Sequence, residues 1–190
     1  MTENNTARYT ARFIESARRV GAEVLQVDSL QDAVTYIKDK AKGTALVPET
    51  SLVRRHHLRA LLSEAGVDVF TEKFRNAGQM PGTGVTFCNF CLADSGTVVL
   101  ESTDEEIRLA TTLPELHFIL VDPATILEDN LAAVEPMTTF HQGHAPKFIA
   151  YITGPSRTAD IERVLTIGCH GPREVHILLV NGISSDLFEN

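Results

Sequence analysis

Apolar and polar residues alternate along the chain in a pattern typical of an α/β protein. Tyr9, Phe13 and Ala17 repeat at helical spacing, so we predict an amphipathic N-terminal helix over about residues 6–20 that packs on the domain. Beyond it, short apolar runs with strand character alternate with segments of helical periodicity up to about residue 70. That alternation predicts a parallel sheet flanked by helices.

The second half of the chain contains three longer apolar runs, at 117–121, 148–152 and 175–180. A run that is apolar throughout is typical of a strand covered on both faces, as inside a parallel sheet. Asp122 and Pro123 favour a helix start directly after the first run, and Pro136 would end that helix.

Two glycine-containing segments do not fit that repeat. Glycines and Pro81 indicate a long, pliable loop over 73–86, and Gly82-Thr83-Gly84 lacks the rest of a dinucleotide or phosphate-binding motif. Asp94-Ser95-Gly96 lies between two apolar runs, which predicts a strand, a turn and an antiparallel strand.

These patterns together predict the fold class. With 190 residues, no internal repeat and about six or seven strands, the chain suits a single three-layer αβα domain spanning residues 1–190. We expect a Rossmann-like, mostly parallel sheet that is mixed where residues 94–96 turn.

Composition and charge exclude several classes of function. The formal net charge of −8 argues against a nucleic-acid partner, because phosphate binding requires a basic face. No apolar run is long enough to predict a membrane span. The first residues lack the basic and apolar regions of a signal peptide, so we expect a cytoplasmic protein with reduced cysteines.

Candidate metal ligands do not form a convincing set in the sequence. Cys88 and Cys91 have metal-ligand spacing, and Cys169 with His170 could complete a zinc site. Three cysteines fall short of the four thiolates that bind an iron–sulfur cluster, and lone cysteines in apolar surroundings usually fill space. We therefore predict no metal site and no cofactor in this chain.

A candidate ligand-binding loop follows the run at 148–152. Glycine and proline end the strand, two hydroxyl residues are candidate helix N-caps, and an arginine supplies a fixed positive charge. Free N–H groups at such a turn attract anions, so we predict a small anionic ligand here. A structural turn with an exposed arginine is the alternative. The predicted ligand-binding residues are Gly154, Pro155, Ser156, Arg157 and Thr158.

Two residues are candidates for proton transfer. Asp94 lies at the turn between two predicted strands, and His170 lies in a second kinked loop at Gly168-Cys169-His170-Gly171-Pro172. We predict that Asp94 and His170 are catalytic and that Gly96 contributes to ligand binding. The alternative for Asp94 is a hydrogen bond to turn N–H groups, and Glu101 is a competing carboxylate.

These loops carry a resemblance to a known family. The segment GPSRTADIE from Gly154, the HGP that starts at His170 and the ADSGT from Ala93 resemble the LUD-domain family. The usual Glu-Thr-Gly of that family is Asp94-Ser95-Gly96 in this chain. The resemblance implies the CoA-transferase-like fold of the NagB/RpiA type.

The resemblance also implies a function. It is greatest to family members of lactate utilization systems, which support oxidation of L-lactate to pyruvate alongside separate iron–sulfur partner proteins. In that role the chain carries no redox centre and binds an anion at the loop 154–162. One alternative is a stand-alone transferase or hydrolase acting on acyl-CoA or sugar-phosphate compounds. Another is a structural subunit whose loops bind a protein.

Overall fold

The computed structural model describes residues 3–77, 81–142, 145–158, 166–168 and 170–190. None of the described helices has the length and apolar content that crossing a membrane requires. The α-helices are α1 (Glu3–Arg19), α2 (Leu30–Lys40), α3 (Ser51–Arg55), α4 (Leu58–Glu64), α5 (Glu105–Thr112) and α6 (Val134–Phe140), with short 3-10 helices at Phe74–Asn76 and Pro123–Thr125. The strands are β1 (Glu23–Val27), β2 (Ala45–Leu46), β3 (Thr83–Phe87), β4 (Phe90–Leu92), β5 (Thr97–Glu101), β6 (Leu116–Val121), β7 (Ile126–Leu127), β8 (Ile149–Ile152), β9 (Arg157–Thr158), β10 (Thr166–Ile167) and β11 (Glu174–Val180).

A five-stranded parallel sheet forms the centre of the molecule. Its strand order is β1-β11-β6-β3-β2, and every neighbouring pair is parallel. Apolar side chains from α2, α3 and α4 cover one face, where Ile37, Leu58 and Leu62 are fully buried. The prediction of a mostly parallel central sheet with flanking helices is confirmed.

The other face of this sheet is covered by α1 and by a second, smaller sheet. The second sheet has the order β7-β4-β5-β8, and β5 is antiparallel to both of its neighbours. Phe13 and Ala17 of α1 pack with Val98 of the small sheet and Ile177 of the central sheet. The antiparallel pairing expected around residues 94–96 therefore exists, but in a sheet of its own.

The outer face of the small sheet is closed by α6. Phe90, Leu92 and Val99 pack there with Phe140, whose ring stacks on Phe90 at a centroid distance of 6.5 Å. The layers thus run from α2–α4 through the central sheet to α1 with the small sheet, and then to α6.

The helix predicted to run from Pro123 to Pro136 is wrong. Asp122 is a helix N-cap as expected, because its Oδ1 accepts from the Ala124 N–H. The helix that it caps is a short 3-10 helix and not the predicted α-helix. Ile126 then pairs with Cys91 in the small sheet and is fully buried. Burial of Ile126 in that sheet favours a strand over the predicted helix. Pro136 lies inside α6 and does not end a helix.

The prediction that residues 148–152 form a strand buried on both faces is also wrong. β8 pairs antiparallel with β5, so the segment belongs to the small sheet and not to the parallel one. Among the described residues, β5 is its only strand partner, and Phe148 and Tyr151 are exposed. An apolar run therefore marks an edge strand here.

The predicted long loop over 73–86 is a strand in its last part. β3 is buried along its whole length and pairs with β6 and β2. A Cβ on Gly84 would lie 2.1 Å from the Ala110 carbonyl oxygen of α5. Glycine at this position therefore permits close helix packing, which the sequence alone does not distinguish from loop flexibility.

Candidate functional site

The carboxyl end of α1 is the point where the predicted site segments gather. The helix ends at Arg19, and the Ala22 N–H still donates to the Ala17 carbonyl before β1 begins at Glu23. Segments from the middle and the end of the chain, at 94–97, 153–157 and 170–172, lie against this end or against one another.

The turn at Asp94-Ser95-Gly96 packs directly on the α1 backbone. Gly96 has φ +69°, and a Cβ there would lie 2.3 Å from the Ala17 nitrogen. Only glycine combines this left-handed conformation with so close an approach. The close packing fixes the position of the Asp94 turn relative to the helix.

The loop at Gly154 packs on Val20, the first residue after the same helix. Gly154 has φ +74°, and a Cβ there would lie 2.3 Å from the Val20 carbonyl oxygen. Pro155 lies beside Gly21. A hydrogen bond of 2.9 Å joins the hydroxyl groups of Thr97 and Thr153, so the two predicted segments meet on one side of the molecule.

The third segment, around His170, is tied to the second. The Ser156 N–H donates to the Pro172 carbonyl at 2.9 Å, and a Cβ on Gly171 would lie 3.1 Å from the Ser156 Cβ. His170 itself is exposed. The structure therefore ties the segment of His170 to the Ser156 loop, and no contact between His170 and Asp94 is found among the described residues.

The helix start predicted at Ser156 is wrong. Arg157 and Thr158 form β9, which pairs antiparallel with β10, and the Ser156 carbonyl accepts from the Gly168 N–H. Residues 159–165, on which a cap at Thr158 would depend, lie outside the described residues. The helix end at this site is a carboxyl end, where the helix dipole is negative.

Arginine side chains offset that negative end. The Arg157 guanidinium donates to the Val20 carbonyl, and Arg18 donates to the Val24 carbonyl at 2.8 Å. Arg19 is exposed and pairs with Glu15 on α1. Since an arginine has five N–H donors, Arg157 keeps donors for an anion after it has capped the helix. Arg157 therefore brings a positive charge to the site in a chain of net charge −8.

Asp94 and Ser95 bring unpartnered polar atoms to the turn. The Asp94 Oδ1 and Ser95 Oγ atoms are buried and have no hydrogen-bond partner among the described residues. Leaving such an atom unpaired costs about 1–3 kcal/mol. Atoms of this kind are expected where a ligand or an ordered water completes the hydrogen bonding.

A separate groove lies at the opposite, carboxyl edge of the central sheet. It has a volume of about 450 Å³ and runs between α1 and the ends of β1 and β11. Its lining combines apolar side chains with two threonine hydroxyls and two amide side chains. The residues that line it include Thr10, Ile14, Gln26, Pro123 and Asn181, and the predicted site residues are not among them.

The candidate cysteine ligands are buried close together. Cys88 and Cys91 are free thiols with their sulfur atoms 3.9 Å apart, and burial raises the pKa of Cys91. A raised pKa disfavours the thiolate that binds metal. Cys169, the third thiol of the possible zinc set, lies outside the described residues.

Comparison with known proteins places the chain in a family. The family model described as the LUD domain matches residues 10–180, which include all the segments at the end of α1. The chain belongs to the LUD domain family. A relative called lactate utilization protein C from Bacillus subtilis (strain 168) is 30% identical over 179 residues, covering 86% of this chain and 74% of the relative.

Further relatives and a solved structure agree with the LUD assignment. A lactate utilization protein C from Geobacillus kaustophilus (strain HTA426) is 36% identical over 150 residues, covering 73% of this chain and 62% of the relative. A crystal structure of a DUF162 family protein from Deinococcus radiodurans has a TM-score of 0.67 and 17% identity, covering 93% of this chain and 98% of that one. The resemblance found in the sequence is thereby confirmed for the family and for its fold.

Two buried histidines of this LUD domain were not singled out in the sequence, because each sits inside an apolar strand run. His117 is fully buried in β6; its Nε2 shares a 2.9 Å hydrogen bond with the Thr86 hydroxyl, and its Nδ1 has no partner among the described residues. Burial lowers the pKa of His117 to about 3. His176 of β11 is buried between carboxylates.

The depressed pKa of His117 predicts a pH dependence of stability. Between the ordinary pKa of 6.5 and the folded value of about 3, the unfolded chain binds a proton at this residue and the folded chain does not. As the pH is lowered below 6.5, His117 should therefore reduce the free energy of unfolding by up to about 1.4 kcal/mol per pH unit. Urea unfolding of wild type and His117→Gln at pH 7.5, 6 and 5 measures this, and the variant should show the shallower slope. Parallel slopes would contradict the assignment.

Proposed function

We propose that this LUD protein is the C component of a lactate utilization system, supporting oxidation of L-lactate to pyruvate with separate iron–sulfur partner proteins. The observation that carries the proposal is the similarity, over most of the chain, to relatives that bear the name lactate utilization protein C. The family match and the shared fold are consistent with it.

The proposed ligand is a small carboxylate, bound beside the carboxyl end of α1. The exposed Arg157 guanidinium is planar and can bind a carboxylate through two N–H groups. Gly154 has no side chain, which leaves room for this guanidinium beside Val20. The buried Asp94 Oδ1, which has no partner among the described residues, is an acceptor for the hydroxyl of a 2-hydroxy acid.

The chemistry of the proposed reaction divides between this chain and its partners. Oxidation of L-lactate to pyruvate removes two electrons and two protons from the carbinol group. In the proposal the electrons pass to the iron–sulfur partners, while this chain holds the carboxylate and supplies proton acceptors. Asp94 and His170 are the candidates for that last role.

Loss of the protein should impair use of lactate. A strain without the gene should fail to grow on L-lactate as sole carbon source, should grow normally on glucose, and should recover on lactate when the gene is supplied on a plasmid. Affinity purification of the tagged protein from lactate-grown cells should also recover iron and acid-labile sulfide. Unimpaired growth on lactate, in a strain with no second copy, would refute the proposed role.

Replacing Arg157 by Ala should weaken anion binding. Removal of charge-assisted hydrogen bonds worth about 1.5–3 kcal/mol corresponds to roughly a 10- to 100-fold loss of affinity. Titration calorimetry with lactate and with pyruvate measures the effect. Arg12→Ala, which removes an exposed arginine from the middle of α1, is the matched control and should bind as wild type does.

The same titration separates the proposal from its alternatives. Because Arg157 also caps Val20, dissociation constants are compared and not melting temperatures. Equal affinity in wild type and Arg157→Ala would exclude Arg157 from the binding site. Tight binding of a CoA ester or a sugar phosphate, with no binding of lactate or pyruvate, would favour a stand-alone transferase or hydrolase.

A further inference from the structure

A cluster of ionisable side chains lies at the amino ends of β1 and β11, on the face covered by α2. Glu23 of β1 lies opposite His176 of β11 in the parallel register. Glu174 is two residues before His176 on the same strand, so both side chains point to the same face. Tyr36 of α2 completes the cluster, which is separate from the segments at the end of α1.

The His176 ring is held rigidly in this cluster. The side chain is 1% exposed, and its ring stacks on Phe118 at a centroid distance of 4.9 Å. The Nδ1 atom lies 3.0 Å from the Tyr36 hydroxyl and 3.4 Å from the Glu23 Oε2. The Nε2 atom lies 3.4 Å from the Glu174 Oε2. Both ring nitrogens therefore face oxygen atoms.

The side chains around His176 bring several electron-pair donors to one place. The Tyr36 hydroxyl has one hydrogen, and both the His176 Nδ1 atom and the Glu23 carboxylate lie within hydrogen-bond reach of it. The Nε2 atom faces the Glu174 carboxylate. A cation held between these groups would accept electron pairs from the imidazole and from both carboxylates.

We infer that Glu23, Glu174 and His176 form a binding site for a divalent transition-metal ion. One ring nitrogen and one oxygen from each carboxylate lie within 4.8 Å of one another. Ligand atoms bound to zinc at about 2.1 Å in tetrahedral geometry lie roughly 3.4 Å apart, so a small movement of the carboxylates suffices. Both glutamates are about half exposed and free to make it.

The donor set selects the class of ion. An imidazole with two carboxylates suits Zn²⁺ and related first-row ions, whereas Mg²⁺ and Ca²⁺ prefer oxygen alone. Lys42 is exposed and ion-pairs with Glu174 at 3.4 Å, so it would be released when a metal binds.

The ion would join β1 to β11 next to the segment that contacts the Ser156 loop. β11 begins directly after the segment 170–173, which carries His170 and contacts the Ser156 loop. A metal bridging β1 and β11 would therefore fix the position of that segment. The site departs from the sequence-based expectation of no metal, because its ligands come from residues 23, 174 and 176.

Zinc titration of the full chain tests the inference. Wild type is compared with Glu23→Gln/Glu174→Gln and with the control Glu64→Gln/Glu72→Gln, which removes the same charge from exposed positions away from the cluster. Wild type and control should bind one Zn²⁺ with equal affinity, and the cluster variant should bind it about 10- to 100-fold more weakly or worse. Circular dichroism verifies that each variant is folded.

Cobalt quenching of tyrosine fluorescence locates the ion. The chain has three tyrosines and no tryptophan, and the Tyr36 hydroxyl is 3.0 Å from His176 Nδ1. Co²⁺ should quench wild-type emission, and Tyr36→Phe should lose that quenching while Tyr151→Phe keeps it. Equal Zn²⁺ affinity in wild type and the cluster variant, or no Tyr36-dependent quenching, would overturn the inference.

Discussion

The candidate site depends on backbone-to-backbone packing at the carboxyl end of α1. Gly96 and Gly154 both adopt left-handed conformations, and a Cβ on either would fall 2.3 Å from a backbone atom in the last turn of α1 or in Val20 just after it. The contact atoms, the Ala17 nitrogen and the Val20 carbonyl oxygen, lie one helical turn apart. One rigid helix end therefore holds two segments nearly sixty residues apart in the chain, and the Thr97–Thr153 hydrogen bond joins them directly.

The polarity of that helix end determines what the site can recognise. An anion bound at a helix amino end is stabilised by free N–H groups, whereas a carboxyl end presents carbonyl oxygens and a negative dipole. Here the Arg157 guanidinium both caps the Val20 carbonyl and brings positive charge to the same place. In the proposed lactate role, anion recognition would therefore depend on the Arg157 guanidinium and not on a helix dipole. Asp94 adds an acceptor that is unpaired within the part of the chain that the structure describes.

Local signals in the sequence predicted local structure well. The amphipathic first helix and the turn between β4 and β5 are both present. Each depends on residues close in sequence, where propensity and spacing act directly. The family motifs also identified, before any geometry, the two segments that meet at α1.

The failures concern partners that are distant in sequence. The apolar content of 148–152 does not reveal that β8 is an edge strand, because edge position depends on which strands pair. Ile126 has the spacing of a helix but is buried against Cys91 of another strand. The His176 cluster was missed for the same reason: Glu23, Tyr36 and Glu174 reach it only through the parallel pairing of β1 with β11 and the packing of α2.

The most direct test of the account is a double-mutant cycle on Gly96→Ala and Gly154→Ala, followed by urea unfolding. If the end of α1 supports both segments, a Cβ at one position displaces the helix and relieves part of the clash at the other. The double variant should then lose less free energy of unfolding than the sum of the single losses, by about 1 kcal/mol or more. Losses that add to within about 0.5 kcal/mol would show that the two glycines pack independently, and would contradict the claim of one shared support.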